Sequence, residues 1–136
     1  MSRHGNANKT SLTMDRRLRG LVEVLRKCRQ LDRKRVEEVG LKFPKEISLL
    51  RLQILLEVSL DPGVTQSELA ERLGLEQAVL SRNLRYWIHE NMGGEVGAPD
   101  FVEKRKGDDR RPNSLHLTIK GHAFVKQVSE LLRRFN

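Results

Sequence analysis

The sequence predicts a mainly α-helical fold with one small β-hairpin. Three observations carry that expectation. Hydrophobic residues make up 38% of the 136-residue chain, but aromatic residues only 4%. Its core must therefore be built from Leu, Val and Ile, a palette that suits helices better than a β-sandwich. Apolar residues recur at steps of three and four over most of the length, the period of an amphipathic helix. Near the C-terminal end, two short segments flank a polar, charged tip in the manner of a hairpin. A chain of this length supports one compact domain and is too short for two independent cores.

Residues 1–9 are polar, with Gly5, Asn6 and Asn8, and read as a disordered arm. From Ser11 to Val39 the chain reads as one long helix. Leu18, Leu21, Leu25, Cys28 and Leu31 form a stripe extended by Leu12, Val22 and Val36, between arginines and lysines. Gly40 supplies a stop, and Pro44 keeps the next helix separate. Glu46 to Leu60 is apolar around most of its circumference and is expected to be the central buried helix. Residues 10–60 thus comprise the N-terminal and central helices. Asp61-Pro62-Gly63 breaks the chain.

The stretch from Val64 to Ile88 is the most informative. Thr65 and Glu68 stand at capping-box spacing. Leu69, Ala70 and Leu73 face inward, Gly74 permits a tight turn, and Leu75 fills the space beneath it. A second helix, Gln77 to His89, buries Leu80, Leu84, Trp87 and Ile88. Its other side presents Ala78, Arg82, Arg85 and His89, flanked by Val79 and Tyr86. Two helices joined this way form a helix-turn-helix, whose second helix can enter the DNA major groove. Gln77, Ala78, Val79, Ser81, Arg82 and Arg85 are the candidate contacts there. Arg82 has the geometry for a bidentate bond to guanine, Ala78 and Val79 suit thymine methyls, and Ser81 and Arg85 suit phosphates. Thr65 and Gln66 stand at the start of the first helix.

Asn91 to Pro99 is a glycine-rich loop, followed by strands at Phe101–Arg105 and Ser114–Ile119. The tip, Lys104 to Pro112, concentrates five basic residues. A hairpin directly after a recognition helix is a wing, whose cations can enter a narrow minor groove. Lys104, Lys106, Arg110 and Arg111 are the candidates, with Asp109 expected to hold an arginine in place. Residues 61–119 are thus the expected winged helix-turn-helix, and residues 120–136 a final helix with Phe124, Val128, Leu131 and Phe135 on one side.

The formal net charge is +8, which points to a polyanionic partner. Residues 1–40 hold 11 basic and 5 acidic side chains, so the basic density lies mainly outside the recognition helix. The basic first helix is expected either to attract phosphate without regard to sequence or to bind an acidic protein or anionic lipid. No metal site or cofactor is expected. His4, His89, His116 and His122 lack metal-ligand spacing, and no phosphate loop or nucleophile motif is present. Cys28 is the single cysteine; it forms no intrachain disulfide and reads as a buried, inert thiol. No apolar run matches a membrane span and no signal core opens the chain, so a cytoplasmic protein without a membrane partner is expected.

These residues resemble the MarR family of winged-helix regulators. The resemblance runs from about Val64 to Gly121. It rests on Thr65-Gln66-Ser67-Glu68-Leu69-Ala70-Glu71-Arg72-Leu73-Gly74, on Leu80-Ser81-Arg82, and on Asp109-Arg110-Arg111 leading into Leu117-Thr118-Ile119-Lys120-Gly121. It implies a homodimer joined through the N- and C-terminal helices, with Leu18, Leu21, Leu25, Leu31, Phe124, Val128, Leu131 and Phe135 at the interface. It also implies a double-stranded, inverted-repeat operator, repression, and relief by a small amphipathic ligand. The chain departs from the family in its long 91–100 loop, its very basic first helix and its short last helix. Two other functions fit the residues: a winged-helix module that docks on a polymerase or replication complex, and a non-specific nucleoid-type DNA binder.

Overall fold

A computed structural model describes residues 9–39 and 47–135. Residues 1–8 of the arm expected over 1–9, the stop at Gly40, the break at Pro44, the helix start at Glu46 and the terminal Asn136 lie outside these residues, as do the side chains of Leu12 and Val36. Lys9, expected in the arm, is already helical, and Ile47 and Ser48, expected within the central helix, precede it. The element order is α1 (Lys9–Val39), α2 (Leu49–Leu60), α3 (Gln66–Leu73), α4 (Gln77–Leu84), β1 (Val102–Arg105), β2 (Ser114–Leu117) and α5 (Ile119–Arg134). Short 3₁₀ turns occupy Arg85–Trp87 and Glu90–Met92.

Helix α2 lies at the centre, as its apolar circumference predicts. Ser48 caps it by accepting the Arg51 N–H, and Ile54, Leu55 and Val58 are fully buried. They meet Leu69 and Ala70 of α3, Leu80 and Leu84 of α4, and Leu115 of β2 in one core. Thr65 caps α3, its hydroxyl oxygen accepting the Glu68 N–H at 3.1 Å. Gly74 ends α3 at φ 68°, in the left-handed region that favours glycine.

β1 and β2 pair antiparallel in the register Val102↔Leu117 to Arg105↔Ser114. Both strands are shorter than expected. Phe101 precedes β1 and donates its N–H to Trp87 O at 2.8 Å. Thr118 leaves β2 to cap α5, accepting the Gly121 N–H at 3.0 Å, so Ile119 is helical rather than extended. The hairpin is tied back to the turn before α3. Gly63 N–H donates to Leu115 O and Leu115 N–H to Val64 O, both at 2.8 Å. The wing and the helix-turn-helix therefore share one hydrogen-bonded frame.

The apolar surface of α1 divides into two stripes. Gly20, Val24, Cys28 and Asp32, at steps of four, are buried on the side that packs against α5. Leu18, Leu21, Val22 and Leu25 lie on another side and remain 41–55% exposed. A helix of this length has room for both faces. Of the expected interface residues, Phe124 (6% exposed) and Val128 (4%) are buried in this chain's own core, with the Phe124 ring 4.9 Å from that of Phe101. They are unavailable to a second chain. Leu31, Leu131 and Phe135 are half-buried.

Candidate nucleic-acid interface

The candidate reading surface is built on α4. Its apolar side is anchored by Leu80 and Leu84, both essentially inaccessible. Gln77, Ala78 and Arg82 are exposed on the other side, with Val79 and Ser81 half-exposed between the two. The helix start is fixed to α3 by Gln77 Nε2, which donates to Ser67 Oγ at 3.2 Å. Gln66 is half-buried at the start of α3. The outer side is thus presented on a rigid support, as groove reading requires.

The α-helix ends at Leu84, five residues before the His89 terminus expected from periodicity, and continues as the 3₁₀ turn Arg85–Trp87. The tighter winding rotates the following side chains. Tyr86, expected on the outer side, is therefore fully buried, packed edge-on against Trp87 at 4.8 Å between ring centroids. Arg85 stays exposed, but its Nε donates to Gly93 O at 3.1 Å, which joins it to the 91–100 loop.

The wing tip carries Lys104, Lys106, Arg110 and Arg111, all exposed. Its turn is organised by Asp108 rather than Asp109. The Asp108 carboxylate accepts the Arg110 N–H at 2.9 Å, and its carbonyl accepts the Arg111 N–H at 3.1 Å. Asp109 forms no ion pair with a described residue. A short Asp side chain bonding a backbone two residues on is a local turn device, and either aspartate of the pair has the composition for it. Arg105 is held on its own strand by Glu103 at 3.1 Å. His116 lies on the other strand, half-buried, with its Nε2 2.8 Å from Ser114 Oγ. Burial, then the positive Arg105, hold its imidazole below the ordinary value, against the opposing pull of Glu103.

Several residues that shape the surface were not evident from the sequence. Asp32 is the buried charged side chain of α1. Arg51 Nε donates to Asn83 Oδ1 at 3.2 Å, and Trp87 Nε1 donates to Arg51 O at 2.8 Å. The one available signal was an acidic residue four positions beyond Cys28, on an otherwise apolar stripe. Burial, then the negative Asp32, push the Cys28 thiol up, only partly offset by Lys27, the opposite of an activated cysteine.

A family model described as winged helix-turn-helix DNA-binding matches residues 47–85. The matched helices, with the hairpin that follows them, decide the matter. The chain has a winged helix-turn-helix fold. No curated protein matches the chain. Among solved structures, RV1404 from Mycobacterium tuberculosis is 20% identical, aligned over 88% of this chain and 74% of its own, with a TM-score of 0.50. A structure described as MarR is 23% identical over 87% of this chain and 77% of its own, with a TM-score of 0.48. At these identities the likeness to RV1404 is one of fold. Among the described residues, no cluster suited to a metal ion occurs, and no helix is long and apolar enough to cross a membrane.

Proposed function

We propose that the chain is a sequence-specific transcription regulator of the MarR type, a cytoplasmic homodimer that represses by occupying an inverted repeat. Helix α4 lies in the major groove and the wing in the minor groove. The observation that carries this reading is the division of α4: Leu80 and Leu84 are locked in the core while Arg82 and Ala78 face solvent. Arg82 is the base-reading residue, with Gln77, Ala78, Val79 and Ser81 around it. Arg85, Thr65 and Gln66 lie toward the phosphates, and Lys104, Lys106, Arg110 and Arg111 serve the wing. Asp109 remains part of the wing tip, with the organising role passed to Asp108. The unpartnered stripe of Leu18, Leu21, Val22 and Leu25 supports a two-fold contact, helped by Leu31, Leu131 and Phe135. Two reading helices related by such a contact match an inverted repeat.

A groove between α1, the 97–99 loop and α5 favours a second element, relief by a small amphipathic ligand. It has a volume of about 530 Å³, an apolar floor of Leu31, Phe101 and Phe124, and a rim of Lys27, Lys34 and Lys120. A ligand preferring one dimer spacing over another would shift DNA affinity through its differential binding.

The test is selection from random duplex DNA at physiological salt, with Arg82→Ala beside the parent chain. A two-fold symmetric site preferred over random DNA by roughly 10³-fold or more, and lost in the variant, is the expected result. A steep salt dependence without preference would instead identify a charge-driven binder. Activity indifferent to Arg82→Ala and Arg111→Ala would identify a protein-docking module.

A further inference from the structure

We infer that Asp32, acting through Tyr86, is a positioning residue for the DNA-reading helix; the inference rests on the reading of α4 as that helix. Asp32 is only 7% exposed. A carboxylate is costly to bury unless its oxygens are hydrogen-bonded. Here each oxygen serves a different element. One accepts the Tyr86 hydroxyl from the 3₁₀ turn that ends α4. The other accepts the Ile47 N–H, at the approach to α2, at 2.7 Å. A single carboxylate on α1 therefore ties together the entry of the central helix and the exit of the reading helix.

The connection continues toward the reading surface. The Arg51 guanidinium of α2 lies 4.9 Å from the centre of the Tyr86 ring. Arg51 Nε donates to Asn83 Oδ1, and Asn83 Nδ2 donates to Val79 O at 2.9 Å. Val79 is one of the candidate groove residues. Leu80 and Leu84 anchor α4 in the core. Directional hydrogen bonds add a further constraint on its roll. The same α1 carries the exposed Leu18, Leu21 and Leu25 stripe. The angle between the dimer helix and the reading helix is thus set at the joint of Asp32 and Tyr86.

The full-length chain carrying Tyr86→Phe, Asp32→Asn, or both tests this. Tyr86→Phe keeps the ring beneath Arg51 and against Trp87 and removes only the hydroxyl. Backbone amide exchange across 77–88 is compared with that across 119–134. Affinity is measured on the selected site and on random duplex. Each single variant is expected to speed exchange in 77–88 alone and to lower the specific-to-random ratio by about two- to thirtyfold. Random-duplex affinity is expected to hold, and the double variant to be no worse than the poorer single one. Unchanged exchange, or exchange raised equally in both segments, would overturn the inference, as would an unchanged ratio. If the parent chain prefers no sequence, the regulator reading fails, and the exchange comparison alone decides the role of Asp32.

Discussion

Gly121 stands where α5 crosses closest to the strand-entry backbone, and Gly121→Ala isolates that contact. An added Cβ would lie 2.1 Å from Phe101 O and 3.0 Å from its carbonyl carbon. Carbon–oxygen contacts settle at about 3.3 Å or more, so the two backbones must part by roughly 1 Å. Neither atom belongs to a flexible side chain. The same site holds the Thr118 N–H to Phe101 O bond at 3.0 Å and the Gly121 N–H to Thr118 Oγ1 cap. Helix propensity favours alanine by up to about 1 kcal/mol. Against it stand about 1–3 kcal/mol of overpacking and about 1 kcal/mol for a weakened cap. The net effect is a destabilisation of about 2 kcal/mol, or a Tm lower by roughly 8 °C at about 4 °C per kcal/mol. Urea unfolding followed by circular dichroism measures it, with Ser129→Ala on the exposed side of α5 as the propensity control. A Gly121→Ala chain as stable as its parent, or more so, would refute the close-approach argument.

Replacing Arg16, Arg17 and Arg19 of the exposed α1 surface with Gln is expected to weaken binding to all duplexes alike. The log–log salt slope should flatten by up to about 2.7, at about 0.9 per phosphate contact; no change in either quantity would turn attention to an acidic protein or lipid partner. Leu21→Asp is expected to convert dimer to monomer in sedimentation without loss of helicity, because Leu21 is 48% exposed in the single chain; an intact dimer would remove the α1 stripe from the interface. The depressed His116 imidazole favours the neutral folded form. Its contribution to stability should be complete above its ordinary value of 6.5 and decline as pH falls below that toward the folded value. His116→Gln should flatten urea midpoints measured between pH 8 and 5.5, and an unaltered profile would assign the slope to other groups.

Much of this protein was legible from local sequence because it depends on local rules. Thr65 three residues before Glu68, Gly74 after Leu73, and Leu80 four residues before Leu84 encode a cap, a turn and a buried side within a few residues of chain. The central place of α2 was equally readable, since a helix apolar on nearly every side has nowhere else to go. Tyr86 was misplaced because periodicity assumes that one winding continues. The 3₁₀ turn after Leu84 is bonded to Asp32 and Phe101, which are distant from it in sequence. Asp108 and Asp109 are neighbours of identical chemistry, and the turn conformation chose between them. The stripe of α1 was visible as apolar, but sequence gives no partner to each side. Only the packing of α5 onto Gly20, Val24 and Cys28 separated the side used within the chain from Leu18, Leu21 and Leu25, left facing outward. The sequence by itself determined the cap at Thr65, the turn at Gly74 and the buried side of α4, because those are short-range free energies. The tertiary structure decided which sides face each other, because that depends on contacts between residues dozens of positions apart.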